Sequence, residues 1–377
     1  MLPTTAGSSI GRTAAAPAPR IGTVSPTTGL PSGGQSMTIS GQNFQPGATV
    51  MFGTFATVPT QWIDSTQLRL TTPPSANSEM TTSLTLTNPD SQTATAFNAY
   101  TYLRAMYTLD GYGGLHPDGG TAPAGGGPYW PGWKIARAAV LTSDGGGGLE
   151  LDGYGGLHPF GSVTFQPVAA YFGWDIARDV ALMPGSSIFN AQGYTLDGYG
   201  GVHAFGGAPM PSGFAYWGGW DIARKIKLLP DGSGGYVMDG YGGLHGFATG
   251  SNPMPPVITS YAYWHGWAIA RDFALTSSSS AGAGVAGVSL DGLGGVHPFG
   301  NVSTTLYAPY APSASRDIFR AVSLGPGAQA NDLFGWAMDG YGRIIPFGTV
   351  AGQPLPQILP SGGYWPNWDI AVALIVN

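Results

Sequence analysis

The residues best suited to chemistry in this chain recur as a phrase of tryptophan, aspartate and arginine. It reads Tyr129-Trp130-Pro131-Gly132-Trp133-Lys134-Ile135-Ala136-Arg137, with counterparts at 171–178, 216–224, 263–271 and 364–372. A tryptophan face stacks on the apolar side of a sugar ring, Asp and Arg give directed hydrogen bonds to hydroxyls, and repetition multiplies weak sites through avidity. The candidate carbohydrate-binding residues are therefore Trp130, Trp133 and Arg137; Trp174, Asp175 and Arg178; Trp217, Trp220, Asp221 and Arg224; and Trp264, Trp267 and Arg271. The set is uneven. Lys134 and Ala268 stand where Asp is expected, the copy with Asp317 and Arg320 lacks both tryptophans, and the copy with Trp365, Trp368 and Asp369 has Val372 for Arg. Such losses fit degenerate ligand sites. They fit equally an Asp–Arg ion pair that locks neighbouring repeats while Trp fills the rim.

A second phrase, Leu109-Asp110-Gly111-Tyr112-Gly113-Gly114-Leu115-His116, returns with its Asp at 152, 197, 239, 291 and 339. Glycine-rich loops that cradle phosphate end in Lys-Ser/Thr between a strand and a helix, and none here does. One Asp per loop falls far short of the roughly six to eight oxygens that calcium takes. Asp110, Asp152, Asp197, Asp239, Asp291 and Asp339 therefore read as structural turn residues whose carboxylates accept loop amides. His116, His158, His203, His245 and His297 share one repeat position, which holds Ile345 in the sixth copy, so packing is expected there rather than a metal. The chain has only two glutamates, Glu79 and Glu150, and most repeat-region aspartates have equivalents. A glycosidase needs an asymmetric pair of carboxylates at one centre, and none stands out. Without GxSxG or HExxH either, the expectation is no catalytic residue, no metal and no cofactor.

These phrases need turns and strands to hold them. The 377 residues include 62 Gly and 32 Pro, a composition near that of structureless chains, but 11 Trp, 18 Tyr and 16 Phe recur in step with the glycines and can close a core. Each Asp-Gly phrase is a hairpin; in the third copy Gly193 to Leu196 and Val202 to Phe205 flank the turn. After each Trp phrase comes an apolar run such as Ala138 to Leu141, Val180 to Met183 or Ile226 to Leu229, read as another strand. The mean step of about 46 residues is the length of a propeller blade. The repeat region opens with a hairpin at 106–119 that lacks this run and ends with the missing run at 371–376. Pairing the two would shut a ring of six blades and hide its edges. A net charge of −6 argues against nucleic acid and anionic membranes as partners, and no apolar stretch approaches the roughly 18 to 20 residues that span a bilayer. Residues 1–20 read as a flexible leader or linker without a signal peptide. The absence of cysteine leaves the redox compartment open.

From 21 to 103 short β-branched runs alternate with turn clusters: Met37 to Ile39, Thr49 to Phe52, Gln67 to Leu70, Ser83 to Thr87 and Ala99 to Leu103. Val24-Ser25-Pro26, Gly29, Gly33-Gly34, Ile39 to Phe44, Val50 to Gly53, Thr72-Pro73-Pro74, Leu86 to Asp90 and the closing Phe97 to Tyr102 resemble the IPT/TIG immunoglobulin-like family. The resemblance implies a small β-sandwich that contacts DNA or dimerises in eukaryotic transcription factors and acts as a spacer in bacterial surface proteins and starch-acting enzymes. The acidic balance favours the spacer. The GLHPFG and WDIAR phrases resemble repeats of actinobacterial exported proteins that accompany cell-wall hydrolases.

The fold expected is all-β: an immunoglobulin-like β-sandwich at 21–103 followed by a six-bladed β-propeller at 104–377, closed by the C-terminal strand. The function expected is non-catalytic binding of glycan or cell-wall polymer by a secreted or cell-surface protein. The alternatives are a structural or adhesion protein that binds other surface proteins or itself and, third, a glycan-acting hydrolase.

Overall fold

A computed structural model describes residues 16–29, 34, 36–73, 80–102, 105–118, 121, 123–303, 305–307, 316–325, 328–349 and 362–376. Most of the leader at 1–20, together with Gly33, Pro74 and Leu103, lies outside them. The described residues form strands and turns with no helix, in two compact units that divide between Tyr102 and Leu103.

The first unit contains β1 (Arg20–Ser25), β2 (Thr28–Gly29), β3 (Ser36–Gln42), β4 (Thr49–Phe52), β5 (Ala56–Pro59), β6 (Gln61–Asp64), β7 (Gln67–Thr71), β8 (Met80–Thr87) and β9 (Thr93–Tyr102). They make two sheets, ordered β1-β3-β7-β6 and β2-β9-β8-β4-β5. Alternate residues point inward, as the pleat requires, so Met37, Ile39, Leu68 and Leu70 of one sheet bury against Val50, Phe52, Leu84, Leu86 and Tyr100 of the other.

The second unit contains β10 (Met106–Asp110), β11 (Leu115–Asp118), β12 (Ala136–Leu141), β13 (Gly147–Asp152), β14 (Leu157–Gly161), β15 (Ala177–Leu182), β16 (Gly193–Asp197), β17 (Val202–Phe205), β18 (Pro211–Ser212) and β19 (Ala223–Leu228). It continues with β20 (Gly234–Asp239), β21 (Leu244–Thr249), β22 (Ala270–Leu275), β23 (Ala286–Asp291), β24 (Val296–Gly300), β25 (Leu306–Tyr307), β26 (Phe319–Leu324), β27 (Phe334–Asp339), β28 (Ile344–Thr349) and β29 (Ala371–Val376). Six antiparallel sheets result: β11-β10-β29, β12-β13-β14, β15-β16-β17, β18-β21-β20-β19, β22-β23-β24 and β25-β28-β27-β26, called first to sixth below. The first joins the two ends of the unit, with Thr108 opposite Leu374 and Tyr107 opposite Ile375.

Each strand that follows a Trp phrase meets its neighbours in sequence, β12 with β15, then β19, β22, β26 and β29, and β29 meets β12 again. The apolar cores lie between successive sheets. Leu149, Leu151 and Leu157 of the second sheet pack on Ala177, Val180 and Phe205 of the third. Tyr194, Leu196 and Val202 of the third pack on Ile226, Val237 and Phe247 of the fourth. Trp336 and Met338 of the sixth pack on Met106 and Leu374 of the first. A single sheet has too little apolar face to stand alone, so neighbours bury each other.

Candidate functional site

Each Asp-Gly turn is held by its own carboxylate. Asp152 Oδ1 accepts the amides of Tyr154 (2.8 Å) and Gly156 (3.0 Å), while Oδ2 meets His158 Nε2 at 2.8 Å. Asp110, Asp197, Asp239 and Asp291 repeat this with His116, His203, His245 and His297. In the sixth copy Arg343 Nε, 3.0 Å from Asp339 Oδ2, replaces the histidine. Burial works to raise the Asp152 and Asp291 carboxyls, but the histidine and loop amides outweigh it and hold both below the ordinary value. The other side of each imidazole meets the edge or face of an aromatic ring: Trp365 on His116, Trp130 on His158, Phe172 on His203, Trp217 on His245 and Trp264 on His297, with centroids 4.7–5.4 Å apart. The histidines therefore pack, and each also completes its turn. The Asp–His bond was missed from sequence, although the constant spacing of six residues within a hairpin was the signal for it.

The tryptophans fall into two classes. The first of each phrase (Trp130, Trp217, Trp264, Trp365) is the partly covered ring against histidine. The second is half exposed at every copy that has one: Trp133 51%, Trp174 54%, Trp220 50%, Trp267 53% and Trp368 51%. Tyrosines at the head of the phrase, Tyr129, Tyr171, Tyr216, Tyr263 and Tyr364, are exposed as well. Trp133 meets Tyr154 at 5.9 Å, and Tyr154 stacks on Tyr171 at 6.2 Å. Trp220 meets Tyr241 at 5.8 Å, and Tyr241 meets Tyr263 at 6.2 Å. Aromatic strips thus run from one sheet to the next along a solvent-facing rim, with flat apolar faces beside polar loops.

The Asp and Arg of the phrase are engaged with each other. Arg137 of the second sheet grips Asp175, which leads into the third, through Nε (3.1 Å) and Nη2. Arg178 holds Asp221 and Arg271 holds Asp317 in the same two-pronged way, and Arg320 Nη2 reaches Asp369 at 2.5 Å. Of the two roles left open by the sequence, inter-sheet locking is the one the geometry displays for these four pairs. The aspartates keep 39–45% of their side-chain surface in water, so each pair contributes only about 0–1 kcal/mol, and what it fixes is geometry. Arg224 differs. Its Nη1 donates to Ala223 O (3.0 Å) and Asp221 O (3.3 Å), but the next sheet offers it Ala268 in place of an acid. Burial and the nearby charges of Arg178 and Arg271 lower its pKa against the pull of Asp221.

A cavity of about 530 Å³ lies among β12, β15, β19, β22, β26 and β29. One side carries Asp179, Lys225, Lys227 and Asp272; the other is aliphatic, with Ala138, Val140, Ala373 and Ile375 among its residues. Asp179 and Asp272 share one strand position, which holds Ala138, Lys225, Ala321 or Ala373 in the other sheets, and were not singled out by sequence. Each is committed: Asp179 accepts the Ile226 amide at 3.0 Å and faces Lys225 Nζ at 3.6 Å, while Asp272 accepts the Val322 amide at 3.0 Å and faces Lys227 Nζ at 3.7 Å. Burial alone would lower the Lys227 ammonium, yet Asp272 and Asp179 outweigh it and hold it above its usual value. Among the described residues no group of three His, Cys, Asp or Glu side chains is placed to hold a metal.

No curated protein matches the chain. Solved structures similar to it include a protein of unknown function from Bacteroides thetaiotaomicron, 12% identical with a TM-score of 0.33, covering 88% of this chain and 98% of that one. An auxiliary nutrient binding protein from the same organism is 12% identical with a TM-score of 0.26, covering 88% and 97%. Another from Bacteroides ovatus is 10% identical with a TM-score of 0.26, covering 90% and 91%. Residues 19–102 match the family described as the IPT/TIG domain, and with two sheets closed over one apolar core this part of the chain is an IPT/TIG domain.

Proposed function

We propose that residues 105–376 form a six-bladed β-propeller and that the protein is a non-catalytic, secreted or cell-surface module that binds glycan along its aromatic rim. The cyclic contact of the six inner strands and the pairing of β29 with β10 support the closed ring. The observation that carries the function is the set of five half-exposed tryptophans at one repeat position. Soluble proteins seldom leave large aromatics exposed in a regular row unless the row meets something, and flat rings beside polar loops suit the alternating apolar and hydroxylated faces of sugars. The IPT/TIG domain is then a spacer. Engagement of Asp179 and Asp272 by lysines and backbone amides argues against a free acid or base in the cavity.

A glycan array followed by titration calorimetry tests this. Binding should fall by about tenfold or more in Trp220→Ala with the melting temperature unchanged, because that ring is half in water. Silence towards all neutral and acidic glycans would refute it. Self-association that rises with concentration and ignores sugar would make the rim a protein-docking surface.

A further inference from the structure

We infer that the junction between the fourth and fifth sheets takes a carboxylated sugar, with Arg224 holding a ligand carboxylate where four other junctions use the protein's own aspartate. The inference rests on the glycan reading above and gives it a substrate class. At the junction of first and second sheets both partners are changed, with Val372 in the Arg position and Lys134 in the Asp position. Among the described residues only Arg224 keeps the cation while the acid is lost.

The donors are pre-aimed. Arg224 Nη1 is tied to Ala223 O and Asp221 O and meets Asp221 Oδ1 of its own phrase at 3.4 Å, much as Arg178 Nη1 is tied to Ala177 O and meets Asp175 Oδ1 at 3.4 Å. This leaves Nε and Nη2, the two prongs that hold aspartate in Arg137, Arg178 and Arg271, without a partner among the described residues.

Space for the carboxylate is present too. At Gly153, Gly198, Gly292 and Gly340 a Cβ would strike the oxygen of Asp175, Asp221, Asp317 or Asp369, so in those junctions the acid lies directly over the glycine. The nearest atoms to a Cβ on Gly240 would be Ile222 Cδ1 at 3.1 Å, Ala268 Cβ at 3.2 Å and Arg224 Nε at 3.4 Å, with no acid oxygen as near. The place that an acid oxygen takes at the other four junctions holds none here, and Arg224 borders it.

The flanks are aromatic. Tyr241 follows Gly240 in the chain and touches Trp220 and Tyr263, and the half-exposed Trp267 precedes Ala268. A pyranose bearing a carboxylate can place its acid group on Arg224 and its apolar face against these rings, which a neutral sugar can do only in part.

The test is calorimetric titration of the full chain with tetragalacturonate and with a neutral tetrasaccharide, each against wild type, Arg224→Gln and Ala268→Asp. The expected result is uronate binding that weakens by about tenfold or more in both variants, while glycan binding at the other rim sites persists. Ala268→Asp should also raise the melting temperature by completing the ion-pair series, which separates site blockage from misfolding. Uronate binding that is no tighter than neutral binding, or that survives both variants, overturns the inference and leaves the glycan reading standing. Failure of every glycan to bind overturns both.

Discussion

Glu150 is fully buried on β13, and neither carboxyl oxygen has a hydrogen-bond partner among the described residues. It faces His158 across the strand pair, a register that Thr108, Thr195, Val237, Ser289 and Ala337 occupy in the other sheets. Burial, reinforced by the charges of Asp110 and Asp152, pushes its carboxyl up to about 9 from 4.5. Between those two values the unfolded chain has released a proton that the folded chain still holds, so the Glu150 contribution favours the fold most below pH 4.5 and turns against it as pH rises towards 9. At pH 7 the gap to the unfolded value is about 2.5 pH units, and at 1.36 kcal/mol per unit the loss is about 3 kcal/mol. Glu150→Val installs the side chain already used at Val237 and removes this dependence. Urea unfolding read by tryptophan fluorescence isolates the effect, because ten of the eleven tryptophans lie in the repeat unit. The variant's stability advantage over wild type should grow by about 3 kcal/mol between pH 4.5 and pH 7. An advantage that stays level across that range would show that Glu150 is ionised and compensated in the fold, and would refute the reasoning.

Gly153→Ala should destabilise the repeat unit by about 1–3 kcal/mol in the same assay, since the new Cβ strikes Asp175 and breaks its bond to Arg137, whereas Gly240→Ala, with nothing nearer than 3.1 Å, should cost clearly less. Equal costs would show that the turn, and not the carboxylate above it, selects glycine. Removing residues 371–377 leaves β10 with β11 alone, and light scattering should detect aggregation through the exposed edge; a monomeric product with an unchanged melting curve would contradict the closing role of β29. Acid should loosen the hairpins. Asp152 and Asp291 titrate below 3.8 in the fold, so the stability they contribute is present above that value and lost as pH falls through their lowered folded values, which circular dichroism across pH 5 to 2 would follow.

The repeat period exposed much of this architecture in the sequence. Hairpin strands β16 and β17 and the strands after the Trp phrases fall where the glycine punctuation and apolar runs put them, because a local pattern is enough to specify a hairpin. In the first unit β3, β4, β7, β8 and β9 coincide with β-branched runs, while β1, β2, β5 and β6 were missed. All four lie at sheet edges, and β1, β5 and β6 carry no fully buried residue, so they owe their form to a neighbour rather than to their own residues. The site was legible only in part. Trp133, Trp174 and Trp220 are exposed, but whether Asp and Arg faced a ligand or each other depended on which Asp met which Arg. That pairing joins residues of adjacent sheets, and spacing within one phrase cannot reveal it. Asp179, Lys225, Lys227 and Asp272 were hidden for the opposite reason: they break the repeat on three inner strands, and only when those strands converge do the four charges become one cluster.

The changes at Lys134 and Val372 bear on whether the six sheets close. In an open row the first acid and the last cation have no neighbour, so losing both fits an open row as well as a ring. The contacts favour the ring proposed above. Lys134 Nζ donates to the carbonyl of Asp369 at 2.8 Å, joining the loop before β12 to the loop before β29, and β29 itself meets β12. An open row would leave these segments at opposite ends. The ammonium therefore replaces a lost ion pair with a charge-assisted hydrogen bond at the junction of the first and second sheets, and relieves that junction of the need for an Asp–Arg couple. Arg224 has no such substitute: Ala268 brings neither a charge nor an acceptor side chain. Of the two departures from the repeat, the one at Lys134 is compensated across the junction, and the one at Arg224 leaves the cation with Asp221 of its own phrase but with no acid from the next sheet.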